Sequence, residues 1–187
     1  MIDKKYTNLQ WNIRSRLSKA FGWWKLFTAL RGNYSENRNK SMLSGQMIAF
    51  ENKIFSLSFD YSLQPCKYIS VEGKEDFSYS KISSKITDGV SSSHTKNELT
   101  FNAFPSSNWK LKWKHQLLLS HKPVHSSIYF MDATLSYLYK QVEVEFSMNN
   151  ILNKSYFQQT AYSSMMAEST LNYFRSREGV IKVMINF

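Results

Sequence analysis

Cysteine, proline and glycine are scarce in this 187-residue chain, which contains one Cys, three Pro and six Gly. The single cysteine, Cys66, excludes an internal disulfide and a multi-cysteine metal cluster. The low glycine and proline content excludes collagen-like and low-complexity chains. Apolar runs are short as well. Clusters such as Leu117–Leu119 fall far below the ~18 residues that a transmembrane helix needs, so the sequence excludes a helical membrane protein.

The start of the sequence does not have the pattern of a secretory signal peptide. Lys4 and Lys5 are followed by polar residues and not by an apolar stretch. The chain carries an excess of positive charge and many aromatic residues: the formal net charge is +10, and 16% of the residues are Phe, Trp or Tyr. Its length suits one ordinary domain.

Alternation of apolar and polar residues is the dominant pattern in the sequence. A period of two with one apolar face predicts half-buried strands. The pattern is clearest at 9–18, 55–63, 131–137 and 142–149. Only the stretches 18–30 and 163–174 could be helical. Neither has a 3.6-residue period with caps, and the second could hold a short helical turn.

The alternation and the turn residues together predict nine strands. We place them at 8–21, 24–34, 43–63, 67–82, 98–104, 109–120, 128–139, 141–149 and 178–187. Short connections near Gly22, Pro65, Pro105 and Lys140 alternate with longer polar stretches. We expect the longer stretches to form loops at 35–41, 83–97, 121–127 and 150–167. Short periplasmic turns alternating with long extracellular loops are typical of outer-membrane barrels.

The sequence therefore predicts an all-β fold, an antiparallel transmembrane β-barrel that is partial and has about 9–10 strands. Bacterial single-chain barrels have an even number of strands. An open sheet would leave two unpaired edges in lipid, which is costly. We therefore expect residues 1–187 to be the C-terminal part of a larger outer-membrane barrel domain, with no plug domain and no signal peptide.

Aromatic residues lie beside the predicted periplasmic turns. Trp23, Trp24, Phe104 and Trp109 are the nearest to them. Amphipathic rings favour the headgroup level of a membrane, so we expect these four residues to belong to an aromatic girdle. The alternative is that aromatic residues are simply frequent in sheets.

The chain ends on a strand pattern with a terminal aromatic residue. Val183, Ile185 and Phe187 fall on one side of an extended chain, and Lys182 and Asn186 fall on the other. This ending resembles the C-terminal assembly signal of bacterial outer-membrane β-barrels. The resemblance implies that Val183, Ile185 and Phe187 are recognised by the barrel-assembly machinery.

Several segments of the second half of the chain carry a wider resemblance. They are the strands at 130–137 and 142–148 around a charged turn, the segment 149–156 with its N-x-x-N-x-x-Y pattern, and the ending at 173–187. Over residues 99–187 the chain resembles the end of a TonB-dependent outer-membrane receptor of the type abundant in Bacteroidota. The resemblance implies a place in the cell outer membrane, contact with its lipid, a missing N-terminal barrel and plug portion, and nutrient uptake.

The histidines do not form a recognisable metal site. His115, His121 and His125 are close in sequence, but Pro123 favours a loop at this point. No acidic or cysteine ligand lies nearby in the sequence. We therefore expect solvated loop histidines and no metal.

The carboxylates and the known catalytic motifs give no sign of an enzyme. Glu143 and Glu145 share one strand face, which in a barrel would line a hydrated lumen. The sequence contains no nucleophile elbow, no P-loop and no dinucleotide-binding motif. We expect no catalytic residues and no cofactor.

A basic segment suggests one further class of protein. Lys110, Lys112 and Lys114 alternate with Trp109 and Trp113, and lysine with aromatic residues can bind nucleic acid. Alternation places the two kinds of side chain on opposite faces, so they could not serve one groove, and we expect no nucleic acid partner. Two alternatives stay open: an autonomous small outer-membrane barrel acting as a porin or adhesin, and a soluble basic all-β binding module.

Overall fold

Strands account for most of the chain in the computed structural model, which describes residues 9–43, 46–84, 89–122, 125–162 and 167–185. The eleven strands in these ranges are β1 (Leu9–Phe21), β2 (Leu26–Leu43), β3 (Gln46–Cys66), β4 (Ile69–Ser84), β5 (Val90–Ser106), β6 (Trp109–Lys122), β7 (Ser126–Tyr139), β8 (Val142–Asn149), β9 (Tyr156–Tyr162), β10 (Ala167–Tyr173) and β11 (Glu178–Ile185). A 3-10 turn, Trp23–Lys25, joins β1 to β2. None of the described helical segments is long and apolar enough to cross a membrane.

One large antiparallel sheet contains nine of these strands, in the order β1-β2-β3-β4-β5-β6-β7-β8-β11. The other two, β9 and β10, pair with each other as a separate hairpin. Within the described residues β1 and β11 each have a strand neighbour on one side only, so the sheet is open. Because the strand count is odd and all pairings are antiparallel, β1 and β11 run in the same direction.

The all-β class and the large antiparallel sheet confirm the fold class predicted from the sequence at this coarse level. The nine predicted strands overlap the nine strands of the large sheet. The stretch that could have held a short helical turn contains β10 over residues 167–173, so that expectation is wrong there. Its first part, 163–166, lies outside the described residues.

Most of the long loops predicted from the sequence are strand. Residues 35–41 belong to β2, and much of 83–97 and 121–127 belongs to β4, β5, β6 and β7. The polar side chains there do not prevent strand formation, because a ladder satisfies the backbone whatever the side chains are. Only the connection from β8 to β11, at 150–177, is long. The connections β3/β4, β5/β6 and β7/β8 are two-residue turns at 67–68, 107–108 and 140–141.

The sheet has little hydrophobic core of its own. The buried apolar residues in the described ranges are Ala29, Ile48, Phe50, Ile128 and Phe157. No large side chain there is less than 2% exposed. Since burial of apolar surface is the main source of folding free energy, the exposed apolar side chains of this sheet need a further apolar environment.

Candidate functional site

The sheet has one apolar face and one polar face, and the cross-strand register defines both. Leu57 on β3 lies directly between Gly32 on β2 and Phe77 on β4, and all share a face because directly paired residues point the same way. We call this side the apolar face. Its apolar members include Leu17, Leu30, Phe55, Leu57, Phe59, Phe77, Phe101, Leu111, Trp113, Leu135, Phe146, Val144, Ile181 and Val183.

Much of the apolar face is exposed. Leu17 is 71% exposed, Ile181 72% and Trp113 46%. The same face continues to the far edge of the sheet, where Leu111, Leu135, Phe146 and Ile181 lie side by side on β6, β7, β8 and β11. Monomeric soluble proteins rarely expose a contiguous apolar patch larger than a few hundred Å², and larger ones mark membrane or protein contacts.

The apolar face has a sharp boundary on β2, β3 and β4. Tyr34, Phe55 and Tyr79 form the last aromatic row across these strands. The next row on the same face is charged and consists of Glu36, Lys53 and Lys81. A row of aromatic rings followed at once by a row of charges is the arrangement expected where an apolar layer meets water. Sequence reasoning missed the aromatic row, because its members meet only through the register.

Ion pairs join the charged side chains beyond this boundary. Arg38 lies 2.8 Å from Glu36 and 3.1 Å from Glu51, and Lys53 lies 3.4 Å from Glu51. The Tyr34 hydroxyl donates a hydrogen bond of 3.0 Å to Glu36. Burial raises the pKa of Glu51, but hydrogen bonds with Glu36, Lys53 and Arg38 and the positive charge of Lys53 outweigh it and hold the pKa of Glu51 below its ordinary value.

The height of the apolar layer can be read on β3. Phe55, Leu57, Phe59, Tyr61 and Leu63 occupy five successive positions on the apolar face. Nine residues from 55 to 63 match the ~9–11 residues with which a tilted strand crosses a membrane. They span about 26 Å along the strand, at ~3.3 Å per residue.

Polar side chains also lie on the apolar face nearer its centre, and two pairs of them are hydrogen-bonded. Asn97 Nδ2 donates a hydrogen bond of 3.0 Å to Glu75 Oε1 across β5 and β4. His115 Nδ1 lies 3.0 Å from the Tyr129 hydroxyl across β6 and β7. Pairing reduces the cost of removing such groups from water, although His115 Nε2 is buried without a hydrogen-bond partner among the described residues.

The four residues predicted for an aromatic girdle lie at one end of the sheet, near the β1/β2 and β5/β6 connections. Trp23 and Trp24 are 57% and 58% exposed, with ring centroids 5.2 Å apart. Trp109 stacks at 4.5 Å against Tyr137, and the Phe104 amide donates a hydrogen bond to Tyr68 O. This end is opposite to the boundary row of Tyr34. Their role at a membrane surface stays a prediction.

Two of the three residues predicted as an assembly signal, Val183 and Ile185, lie on the edge strand β11. Val183 pairs with Val144, and Ile185 pairs with Val142, so both belong to the apolar face. Both are more than half exposed. Phe187 lies outside the described residues. Val183 and Ile185 thus lie on the same face as Phe146. Their recognition by the barrel-assembly machinery stays a prediction.

The opposite side, which we call the polar face, carries charges and hydroxyl groups in cross-strand rows. Lys114 pairs with Asp132, and Lys182 pairs with Glu145. The hydroxyls of Ser136 and Ser147 donate hydrogen bonds of 3.5 and 3.3 Å to Glu145. These bonds give Glu145 a structural environment typical of a hydrated wall. Glu143 lies on the same face, opposite Met184.

The basic segment of β6 divides between the two faces. Lys112 and Lys114 pair with Thr134 and Asp132 on the polar face, while Trp113 pairs with Ala133 on the apolar face. Lysine and tryptophan side chains of this strand therefore do not share one groove.

The β9–β10 hairpin folds over the polar face. Phe157 of β9 is buried, as is Ile128 of β7. The Phe174 ring packs edge-on against Phe130 with centroids 4.5 Å apart, and the Ser126 hydroxyl donates a hydrogen bond to Gln158 O. A cavity of about 480 Å³ remains between the hairpin and the sheet, lined in part by Asp76, His94, Lys96, Phe157 and Tyr173. The sequence reveals no such contact, because the partners are distant along the chain.

Asn150 holds the two ends of the hairpin connection together. Its Nδ2 donates hydrogen bonds of 2.7 Å to Lys154 O and to Arg175 O, and its Oδ1 accepts one of 2.9 Å from Lys154 N. Its own backbone amide donates a hydrogen bond of 2.8 Å to Asp132 Oδ1. Asn153 makes a similar but smaller contribution, because its Oδ1 accepts one hydrogen bond from Arg177 N. The two asparagines of the N-x-x-N-x-x-Y pattern therefore fix the loop base.

In the described ranges no group of three or more His, Cys, Asp or Glu side chains is placed to hold a metal ion. His115 and His121 belong to β6, so the expectation that they are loop histidines is wrong. His121 Nε2 lies 3.2 Å from Thr95 Oγ1, and its ring lies 6.4 Å from that of His125.

No protein-family model, curated protein or solved structure matches the chain. The two faces of the sheet and the folded-in hairpin are therefore the features from which a function must be inferred.

Proposed function

We propose that this chain forms part of the wall of an outer-membrane β-barrel, with the apolar face toward lipid and the polar face toward the lumen. The observation that carries the proposal is the boundary on β2, β3 and β4, where the row of Tyr34 gives way to the charged row of Glu36. A protein partner could cover an apolar face. A flat boundary with aromatic rings at its edge is more typical of lipid.

The polar face supports the same proposal. Cross-strand pairs such as Lys114 with Asp132 keep that face charged but locally balanced. A lumen filled with water solvates such pairs without the desolvation cost of a dry core. The hairpin folded over this face would narrow the lumen near Ile128 and Phe157.

The unpaired edges require further strands. Backbone groups on the outer sides of β1 and β11 would be unsatisfied in lipid. Direct pairing of β1 with β11 would be parallel, whereas bacterial barrels are antiparallel with an even strand count. We propose that additional barrel strands lie between them.

The finer proposal is that the chain is the C-terminal wall segment of a TonB-dependent receptor for nutrient uptake. The resemblance of residues 99–187 supports it, and the clamp made by Asn150 gives the shared N-x-x-N-x-x-Y pattern a physical reason. The barrel-assembly machinery and a plug-bearing barrel portion would then be partners. The chain would be a structural component and not an enzyme.

Membrane partitioning tests the proposal. The full chain, produced in a bacterium with an outer membrane, should float with outer-membrane vesicles in a density gradient and resist alkaline carbonate extraction. A matched variant with Leu57→Lys and Trp113→Lys, both on the apolar face, should be depleted from the vesicle fraction. A folded chain that stays monomeric in buffer without detergent would overturn the proposal in favour of a soluble binding module.

A further inference from the structure

Three arginines lie together on the polar face at the β1 edge of the sheet. Arg16 on β1 pairs directly with Arg31 on β2, and Arg14 pairs with Asn33. Like charges directly opposite one another destabilise a strand pair.

The charges around this cluster are only partly paired. Arg31 forms an ion pair with Asp60, and Lys74 lies 2.8 Å from Asp76. Arg14 and Arg16 have no hydrogen-bond or ion-pair partner in the part of the chain that the structure describes. Two guanidinium groups, carried about 7 Å apart along one strand, are thus left without a counter-charge.

A cavity of about 550 Å³ adjoins the three arginines. Hydroxyl groups line it as well, from Ser56, Ser58 and Ser78. Ser58 pairs directly with Asp76 of β4, and the Asp76 carboxylate also lines the cavity, where Lys74 balances its charge. The positive charges left without a counter-charge at the cavity are therefore those of Arg14 and Arg16.

We propose that this arginine cluster binds an oxyanion that carries two or more negative charges, such as a phosphate ester or a polycarboxylate. Guanidinium groups bind phosphate and carboxylate oxygens through two parallel hydrogen bonds. Arg14 and Arg16 would supply both the positive charge and the hydrogen-bond donors. The site goes beyond the proposed function, because it needs only the polar face of the folded sheet.

Calorimetric titration of the folded full chain tests this site. Pyrophosphate and citrate serve as the probes, with sodium chloride at equal ionic strength as the blank. The Arg14→Gln, Arg16→Gln double variant should bind both probes at least about tenfold more weakly, as expected for the loss of charged hydrogen bonds. The control variant, Lys110→Gln with Lys112→Gln, removes the same amount of positive charge from a different strand, β6. Its affinity for both probes should stay within about twofold of that of the wild type.

The outcomes separate a site from a general effect of charge. Binding of pyrophosphate alone would assign the site to phosphates, and binding of both probes would assign it to multivalent oxyanions. Equal weakening in the control variant, or no heat above the chloride blank for the wild-type chain, would overturn the inference.

Two further measures keep the result independent of misfolding of the variant and of membrane partitioning. If the glutamine variant does not fold by circular dichroism, the Arg14→Lys, Arg16→Lys variant replaces it. That variant keeps the charge but loses the bidentate geometry, and it should bind more weakly than the wild type; unchanged binding would contradict a guanidinium site. The titration is run in detergent micelles or in buffer, whichever keeps the chain folded, so its result does not depend on membrane partitioning.

Discussion

Gly73 on β4 lies directly opposite Tyr61 on β3, and the tyrosine ring covers the position that a side chain at residue 73 would occupy. Glycine inside a strand weakens it unless another group fills the space. The ring of Tyr61 also lies 5.7 Å from that of Phe59. The Tyr61 ring therefore fills the space on the apolar face that the missing side chain of Gly73 leaves.

Replacing this glycine should displace the ring. We expect Gly73→Val to destabilise the sheet by about 1–3 kcal/mol, the usual cost of overpacking. In a Tyr61→Ala background the same change should cost much less, because the clash is gone. Denaturant unfolding of the four chains gives the coupling energy. Gly179→Val, at a position with open space around it, is the control and should be nearly neutral. Strictly additive effects at residues 61 and 73 would contradict the contact.

The clamp at the hairpin base should control the order of the whole connection. Asn150→Ala removes three hydrogen bonds to backbone groups, so we expect a loss of about 1–3 kcal/mol. Limited proteolysis should then cut between 150 and 177 at low protease concentrations. Asn153→Ala removes only the bond from Arg177 N and should give a weaker effect. Equal protease resistance in the wild-type and Asn150→Ala chains would refute the clamp.

Acid should weaken the ion pairs beyond the apolar boundary. The pKa of Glu51 in the folded chain lies below its ordinary value of 4.5. Its carboxylate therefore stabilises the fold above that ordinary value, and the contribution is lost as the pH falls through the lower folded-state pKa. Denaturant midpoints of wild-type and Glu51→Gln chains should differ at neutral pH and converge as the pH falls below the folded-state pKa of Glu51.

A control separates this pair from general acid effects. Glu72 lies on the polar face and has no ion pair in the described part of the chain. The Glu72→Gln chain should follow the wild type across the same pH range. If it reproduces the convergence seen with Glu51→Gln, the effect does not come from the network of Arg38 and Glu51.

Residues on the two faces of β3 should respond in opposite ways to a new charge. Leu57→Lys places an ammonium on the apolar face near the middle of its height, which costs about 2–4 kcal/mol for Lys at a bilayer midplane. Ser62→Lys places the same charge on the polar face, opposite Glu72, and should be nearly neutral. The folded fraction of each chain after assembly into lipid vesicles, measured against urea, checks this. Similar losses for both variants would argue against a lipid-facing side.

Much of the sheet can be predicted from the sequence, because the alternation of apolar and polar residues along a strand shows which side chains share a face. The five apolar positions from Phe55 to Leu63 are separated by polar ones, and only a strand places them together. The prediction of a loop at 35–41 was wrong for a physical reason. Its polar residues pair with β3, and the partner of Arg38, Glu51, becomes visible only when the register is known.

The candidate sites were harder to predict for the same reason. Trp23 and Trp109 lie beside turns and could be found from the sequence. The row of Tyr34, Phe55 and Tyr79 joins three strands, and the cluster of Arg16 with Arg31 depends on a pairing across two. Contacts between Phe157 and the polar face require the inward fold of the hairpin, which no local pattern reports.

Accessibility along β3 measures the central claim most directly. Cys66 is the only cysteine, so a Cys66→Ser chain accepts single spin-labelled cysteines at each position from 55 to 62. After reconstitution into lipid vesicles, collision rates are measured with oxygen, which concentrates in lipid, and with a water-soluble nickel chelate. We expect 55, 57, 59 and 61 to favour oxygen and 56, 58, 60 and 62 to favour nickel. The same ratio at every position, or nickel contact at Leu57 and Phe59, would contradict a sheet with one face in lipid.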